Sequence, residues 1–161
     1  MKVFYWSPFF TKIATIQAVI KSAESLVDYE KKNKYDVSII DAIGEWEEYK
    51  KTIDKRVNII KLNKKNFVKI IPKNSYLKSR FSYIFIFLFN FFKLKKLIDK
   101  EQPKYLIVHL ITSLPIFLSI FFKKNKKIIL RISGLPKINL IRYFFLKFFS
   151  NKIEKVTCPT K

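Results

Sequence analysis

Apolar residues recur along the chain in two alternating rhythms. Lys2–Trp6 (KVFYW), Asp36–Asp41 (DVSIID), Arg56–Leu62 (RVNIIKL), Tyr105–His109 (YLIVH), Lys127–Ile132 (KIILRI) and Lys152–Thr157 (KIEKVT) are short runs rich in β-branched and aromatic residues. Each is bounded by charged or turn-forming residues and predicts a strand. Between the first two, from about Lys12 to Lys32, Ile13, Ile16, Ala18, Val19, Ile20, Ala23, Leu26 and Val27 recur at helical spacing. A short helix is predicted from Gly44 to about Ile53, a long one over Tyr76–Lys100, and another over Ile138–Ser150. After His109, Thr112 or Ser113 caps a helix with Pro115 in its first turn, where a missing N–H does no harm. Strand and helix alternate throughout, so the chain predicts a single α/β domain over residues 1–161. Its core is a Rossmann-like, doubly wound, mostly parallel six-stranded sheet.

Two apolar runs raise the question of a membrane span. Phe81–Phe92 (FSYIFIFLFNFF) is apolar on all sides for twelve residues, whereas a membrane span needs roughly 20. Twelve residues fit a buried core helix or a segment lying at a membrane surface. Leu106–Phe122 is longer, but His109 and Pro115 interrupt it, and strand plus helix accounts for it more simply. Met1–Trp6 is too short for the apolar core of a signal peptide.

Charge divides the chain unevenly. Residues 1–54 hold eight Lys and nine Asp or Glu, while residues 55–161 hold 25 Lys or Arg and three acids, leaving the whole at +21. Such a field attracts anionic partners, either nucleic acid or the surface of an acidic-lipid membrane. Only Arg56, Arg80, Arg131 and Arg142 are arginines, and readers of base edges rely on the arginine fork, so nucleic acid is not expected as a partner. A coding bias toward Lys, Asn, Ile and Phe would raise the charge with no partner at all. Asn63–Ser75, with Lys64, Lys65, Lys69 and Lys73 among Phe67, Val68, Ile70 and Ile71, is either a membrane-facing loop or a solvated surface segment.

Composition also narrows the chemistry. One Cys excludes a disulfide framework and Cys-based zinc, and one His excludes His-cluster metal sites, so no metal or cofactor is expected. Two glycines leave no dinucleotide-binding fingerprint after the first strand, where Ser7–Thr11 (SPFFT) stands instead. His109 closes a strand at the edge where open α/β sheets bind ligands. It is either a ligand-facing imidazole or a half-buried one satisfied by a backbone carbonyl.

Three segments are more specific together: Leu106–Pro115 (LIVHLITSLP), Leu130–Pro136 (LRISGLP) and Lys155–Thr160 (KVTCPT). In this order they resemble the N-terminal half of GT-B glycosyltransferases, closest to glycosyltransferase family 4, over essentially the whole chain. The resemblance implies retaining, metal-independent transfer of a sugar from a nucleotide-sugar donor to a glycan or lipid-linked acceptor, in cell-surface polysaccharide or lipopolysaccharide synthesis. It implies His109 as the catalytic residue, hydrogen-bonding donor sugar or acceptor hydroxyl. Arg131 would hold a phosphate, with a salt bridge to a carboxylate as its alternative, and Ser133 and Gly134 would let backbone approach the ligand. Ser7 and Thr11 either touch the ligand or cap the first helix.

Two departures qualify this. Family members carry a Gly-rich loop where this chain has Ser7–Thr11. The C-terminal domain that binds the nucleotide-sugar, with its paired glutamates, is expected to be absent. The chain is therefore expected to be the acceptor-binding half, from a truncated gene or a split enzyme, and inactive alone. It would sit in the cytoplasm, peripheral on the inner face of the cell membrane. The competing readings are a small basic membrane-associated protein without activity, a small integral membrane protein and, least supported, a nucleic-acid-binding domain.

Overall fold

In the computed structural model of the protein, the described residues are 1–10, 14–29, 35–68, 70, 76–109, 113–122, 126–132 and 139–158, without the side chains of 76–80 and 113. Among the described residues six strands are present, at β1 (Lys2–Trp6), β2 (Asp36–Asp41), β3 (Asn58–Lys61), β4 (Tyr105–His109), β5 (Lys127–Arg131) and β6 (Ile153–Thr157). They form one sheet of order β3-β2-β1-β4-β5-β6, and every neighbouring pair is parallel. The predicted fold class is the observed one. The four helices among the described residues are α1 (Ala14–Asp28), α2 (Tyr76–Glu101), α3 (Ser113–Leu118) and α4 (Leu140–Phe149).

Strand alternation splits the interior into two layers. On one side Val3, Tyr5, Val37, Ile39 and Ile107 pack against Ile16, Val19, Ile20, Ala23 and Val27 of α1 and against Trp46. On the other, Phe4, Trp6, Ile40, Leu106, Val108, Ile128 and Leu130 meet Ile86, Leu94 and Ile98 of α2, Leu114, Ile116 and Leu118 of α3, and Phe149 of α4. Among the described residues, α1 thus covers one face and α2, α3 and α4 the other.

The second predicted helix is the clearest departure. Between β2 and β3 only one 3₁₀ turn forms, Glu47–Tyr49. Asp41 and Glu45 organise the preceding chain instead. The Asp41 carboxylate accepts the Gly44 N–H at 2.6 Å, while Glu45 accepts the N–H groups of Ala42 at 3.1 Å and Ile43 at 2.7 Å. Gly44 has φ +96°, outside the range of a helix, so the chain turns there and Trp46 drops into the core.

α2 ends where its sequence says it should. Gln102 adopts φ +48° after Glu101, and Pro103 prevents continuation. Its buried line is Ser82, Ile86, Asn90, Leu94 and Ile98, so two polar groups point inward. Asn90 donates to the Ile86 carbonyl at 3.1 Å and accepts from Asn63 at 2.8 Å, and Asn63 donates to the Ala42 carbonyl at 2.6 Å. Lys93 closes this network by donating to Asn63 Oδ1. The amides are satisfied, as buried amides must be.

Candidate functional site

The sheet order reverses between β1 and β4: the chain leaves β1 over one face through α1 and leaves β4 over the other through α3. Open α/β sheets carry their ligand crevice at the carboxyl ends of strands around such a point. His109 is the last residue of β4 and pairs in register with Arg131, the last residue of β5. Trp6 pairs with Val108, so Ser7 lies one step beyond on the neighbouring strand, beside His109.

Parity places the imidazole on the α1 face, two residues beyond Ile107. Its ring lies 5.8 Å from the Tyr5 ring, tilted by 39°. Tyr5, in turn, shares a hydrogen bond of 3.0 Å with the Ser22 hydroxyl of α1. Burial pushes the Tyr5 phenol up. His109 and Arg131 are level across β4 and β5, and Tyr5 lies one pleat behind them on the same face of β1.

The imidazole is 1% exposed and its Nε2 is buried with no hydrogen-bond partner among the described residues. Burial first, then the Arg131 guanidinium, hold its pKa down to about 4. At neutral pH the ring is uncharged, with one nitrogen able to accept and the other to donate. Because Nε2 is covered, a ligand reaches it only by displacing a neighbouring group. Among the described residues no carboxylate pairs with Arg131, so the salt-bridge alternative has no partner there.

The other expected contacts separate. Ser7 is buried beside His109, and it lies too far ahead of Ala14 to cap α1. Thr11, Ser133 and Gly134 lie outside the described residues. Where a Gly-rich loop would let phosphates approach, Phe9 packs edge-on against Trp46 at 5.0 Å and Tyr49 at 5.9 Å, and Phe10 against Tyr83 at 5.0 Å. The first loop is thereby tied into the aromatic core.

Sequence reading missed Tyr5 and the Asp41–Glu45 pair. Tyr5 has the strand parity of His109 once β1 and β4 are neighbours, and that adjacency comes only from the topology. Burial, followed by the hydrogen bond and charge of Asp41, holds the Glu45 carboxyl well above its usual range. Besides Asp41, it holds backbone N–H groups of its own turn, which makes the pair a turn-shaping device. Among the described residues no three His, Cys, Asp or Glu side chains converge as a metal set. A hollow of about 860 Å³ opens beside Asn139, Leu140, Ile141 and Tyr143, on the sheet face opposite the imidazole.

No protein-family model matches the chain, and no curated protein sequence does. Among solved structures, UDP-GlcNAc 2-epimerase from Methanocaldococcus jannaschii aligns over 99% of this chain with a TM-score of 0.48 and 10% identity. The chain spans 38% of the length of that enzyme.

Proposed function

We propose that this domain is the acceptor-side half of a retaining, metal-independent glycosyltransferase. A second Rossmann-like unit would supply the nucleotide-sugar donor, and a glycan or lipid-linked phosphate would be the acceptor. The observation that carries the reading is the orphaned Nε2 of His109 at the point where the sheet order reverses. A buried polar atom without a partner is costly. A sugar or acceptor hydroxyl would satisfy it.

In this reading the neutral imidazole orients the acceptor hydroxyl and stabilises charge that develops on the transferred sugar. Arg131 holds a phosphate on the acceptor. Ser7 lines the crevice from β1, with Thr11, Ser133 and Gly134 as the remaining expected contacts. Tyr5, fixed by Ser22, positions the ring from below.

A second reading has its own observation. At 1% exposure His109 is as buried as an interior packing residue. The chain has one His, so ring-labelled histidine gives one imidazole signal to watch by NMR. Titration with a nucleotide-sugar and with a polyprenyl-phosphate sugar is expected to move that signal, and Arg131→Ala to weaken the phosphate-dependent shift by about tenfold. A signal that neither ligand moves assigns His109 to packing.

A further inference from the structure

Helices α2 and α4 are apolar on the side that faces away from the sheet. On α2, Phe81, Ile84, Phe85, Leu88 and Phe92 are exposed and recur at helical spacing, opposite the buried Ser82, Ile86 and Asn90. An ordinary surface helix has the reverse arrangement. On α4, Leu140, Ile141, Phe144 and Phe148 form a second exposed stripe. Phe92 stands 78% exposed, Phe148 71% and Ile141 81%.

The stripes belong to one layer. The Phe91 ring contacts Phe92 at 5.1 Å and Phe121 at 6.4 Å, and Phe117 bridges Phe91 at 6.1 Å to Phe149 at 6.3 Å. Phe148 sits on Phe149 at 5.0 Å. Isolated exposed apolar residues need no explanation, but a contiguous aromatic layer does.

Cations rim this layer. Lys96 on α2 and Lys147 on α4 are exposed, while the neighbouring Lys93 and Lys100, also exposed, reach Asn63 and, at 3.8 Å, Glu101. Lys93 lies 3.9 Å over the Phe89 ring and Lys147 5.9 Å over Tyr143, so their stems run along aromatic surface. The acids of α2 are already paired, Asp99 with Lys95 at 2.8 Å and Glu101 with Lys2 at 2.6 Å, and α4 has none.

We infer that the outer face of the α2–α4 layer docks on an anionic lipid bilayer, inserting its aromatic residues while the lysines contact headgroups. The two properties select that occupant together. A second copy would bring +21 against +21. Nucleic acid would leave aliphatic side chains such as Leu88 and Ile141 facing phosphates. An acidic lipid surface satisfies both the apolar stripes and the cationic rim. This inference does not rest on sugar transfer.

The test uses the full chain and vesicles of phosphatidylcholine alone or with roughly 30% phosphatidylglycerol. The unaltered chain is expected to sediment with the anionic vesicles. Phe92→Ser/Phe144→Ser/Phe148→Ser should lower that partition at least about tenfold with an unchanged thermal midpoint. Lys96→Glu/Lys147→Glu should erase the preference for anionic over neutral vesicles. Trp6 and Trp46 are buried, so a tryptophan introduced by Phe92→Trp reports the surface, and brominated acyl chains should quench it. Three results overturn the inference: an unaltered chain that stays in the supernatant, a triple-serine variant that binds undiminished, or an oligomer in vesicle-free buffer that the triple-serine change converts to monomer.

Discussion

The two faces of the sheet use the same kind of interior and opposite kinds of exterior. On the α1 face, Ile16, Val19, Ala23 and Val27 turn inward while Gln17, Lys21, Ser25 and Asp28 meet solvent. On the other face, Leu94 and Ile116 are buried as completely as Val19, yet Phe92, Phe144 and Phe148 remain outside. What a helix buries therefore does not determine what it shows. The α1 face is finished by its own polar stripe, and the α2–α4 face is left with an apolar exterior.

That contrast can be broken most strongly from the inside. Trp46→Ala beneath α1 and Leu94→Ala beneath α2 are each expected to cost about 3–5 kcal/mol in urea unfolding. Similar losses would show equal interiors, and a small loss at Leu94 would mean that the three-helix layer is loosely held. His109 gives the next effect. Its folded pKa of about 4 lies below the unfolded value near 6.5, so the unfolded chain binds the extra proton between those values. Stability should therefore be full above pH 6.5 and fall by about 3 kcal/mol as pH drops through 4. His109→Leu should remove that part of the acid slope, as read by denaturation midpoints at several pH values. Glu45, whose pKa is raised, has the opposite sign. Its contribution is lost as pH rises through the folded pKa, and Glu45→Gln should flatten that limb.

Smaller changes sharpen the comparison. Gly44→Ala, at φ +96° and with its Cβ 2.6 Å from Asn66 Cγ, is expected to cost about 2 kcal/mol by thermal melting. Asn139→Ala removes the side-chain acceptor that meets the Arg142 N–H at 2.9 Å at the start of α4, a loss of about 1 kcal/mol. Least of all, Phe92→Ser/Phe148→Ser should shift stability by about 0.5 kcal/mol or less, because those rings have little to lose on exposure. A loss of several kcal/mol there would mean that the outer rings are part of the core.

Much of this architecture is legible in the sequence. β1, β2 and β4 have the predicted bounds, because each apolar run there is cut off by Ser-Pro, a charged pair or a turn. The long helix runs to Glu101, one residue beyond its expected end. Gly44–Ile53 misled because its composition suits a helix, while the Asp41–Gly44–Glu45 hydrogen bonds that prevent one are tertiary in effect. His109 at the strand end was legible from YLIVH. Its burial and its contact with the Tyr5 ring were not, because both depend on β1 and β4 lying side by side although a hundred residues separate them. The orientation of Phe81–Phe92 was hidden for a different reason: a segment apolar all round offers no stripe to read.

The Asn63–Asn90 pair supplies what that segment lacks. A cylinder greasy on every side could roll about its axis at little cost, since any phenylalanine can take the place of another. Rolling α2 would carry the Asn90 carbonyl away from the Asn63 amide that donates to it at 2.8 Å, and Lys93 away from Asn63 Oδ1. Two small polar groups, not the many rings around them, select which phenylalanines the molecule displays to the outside.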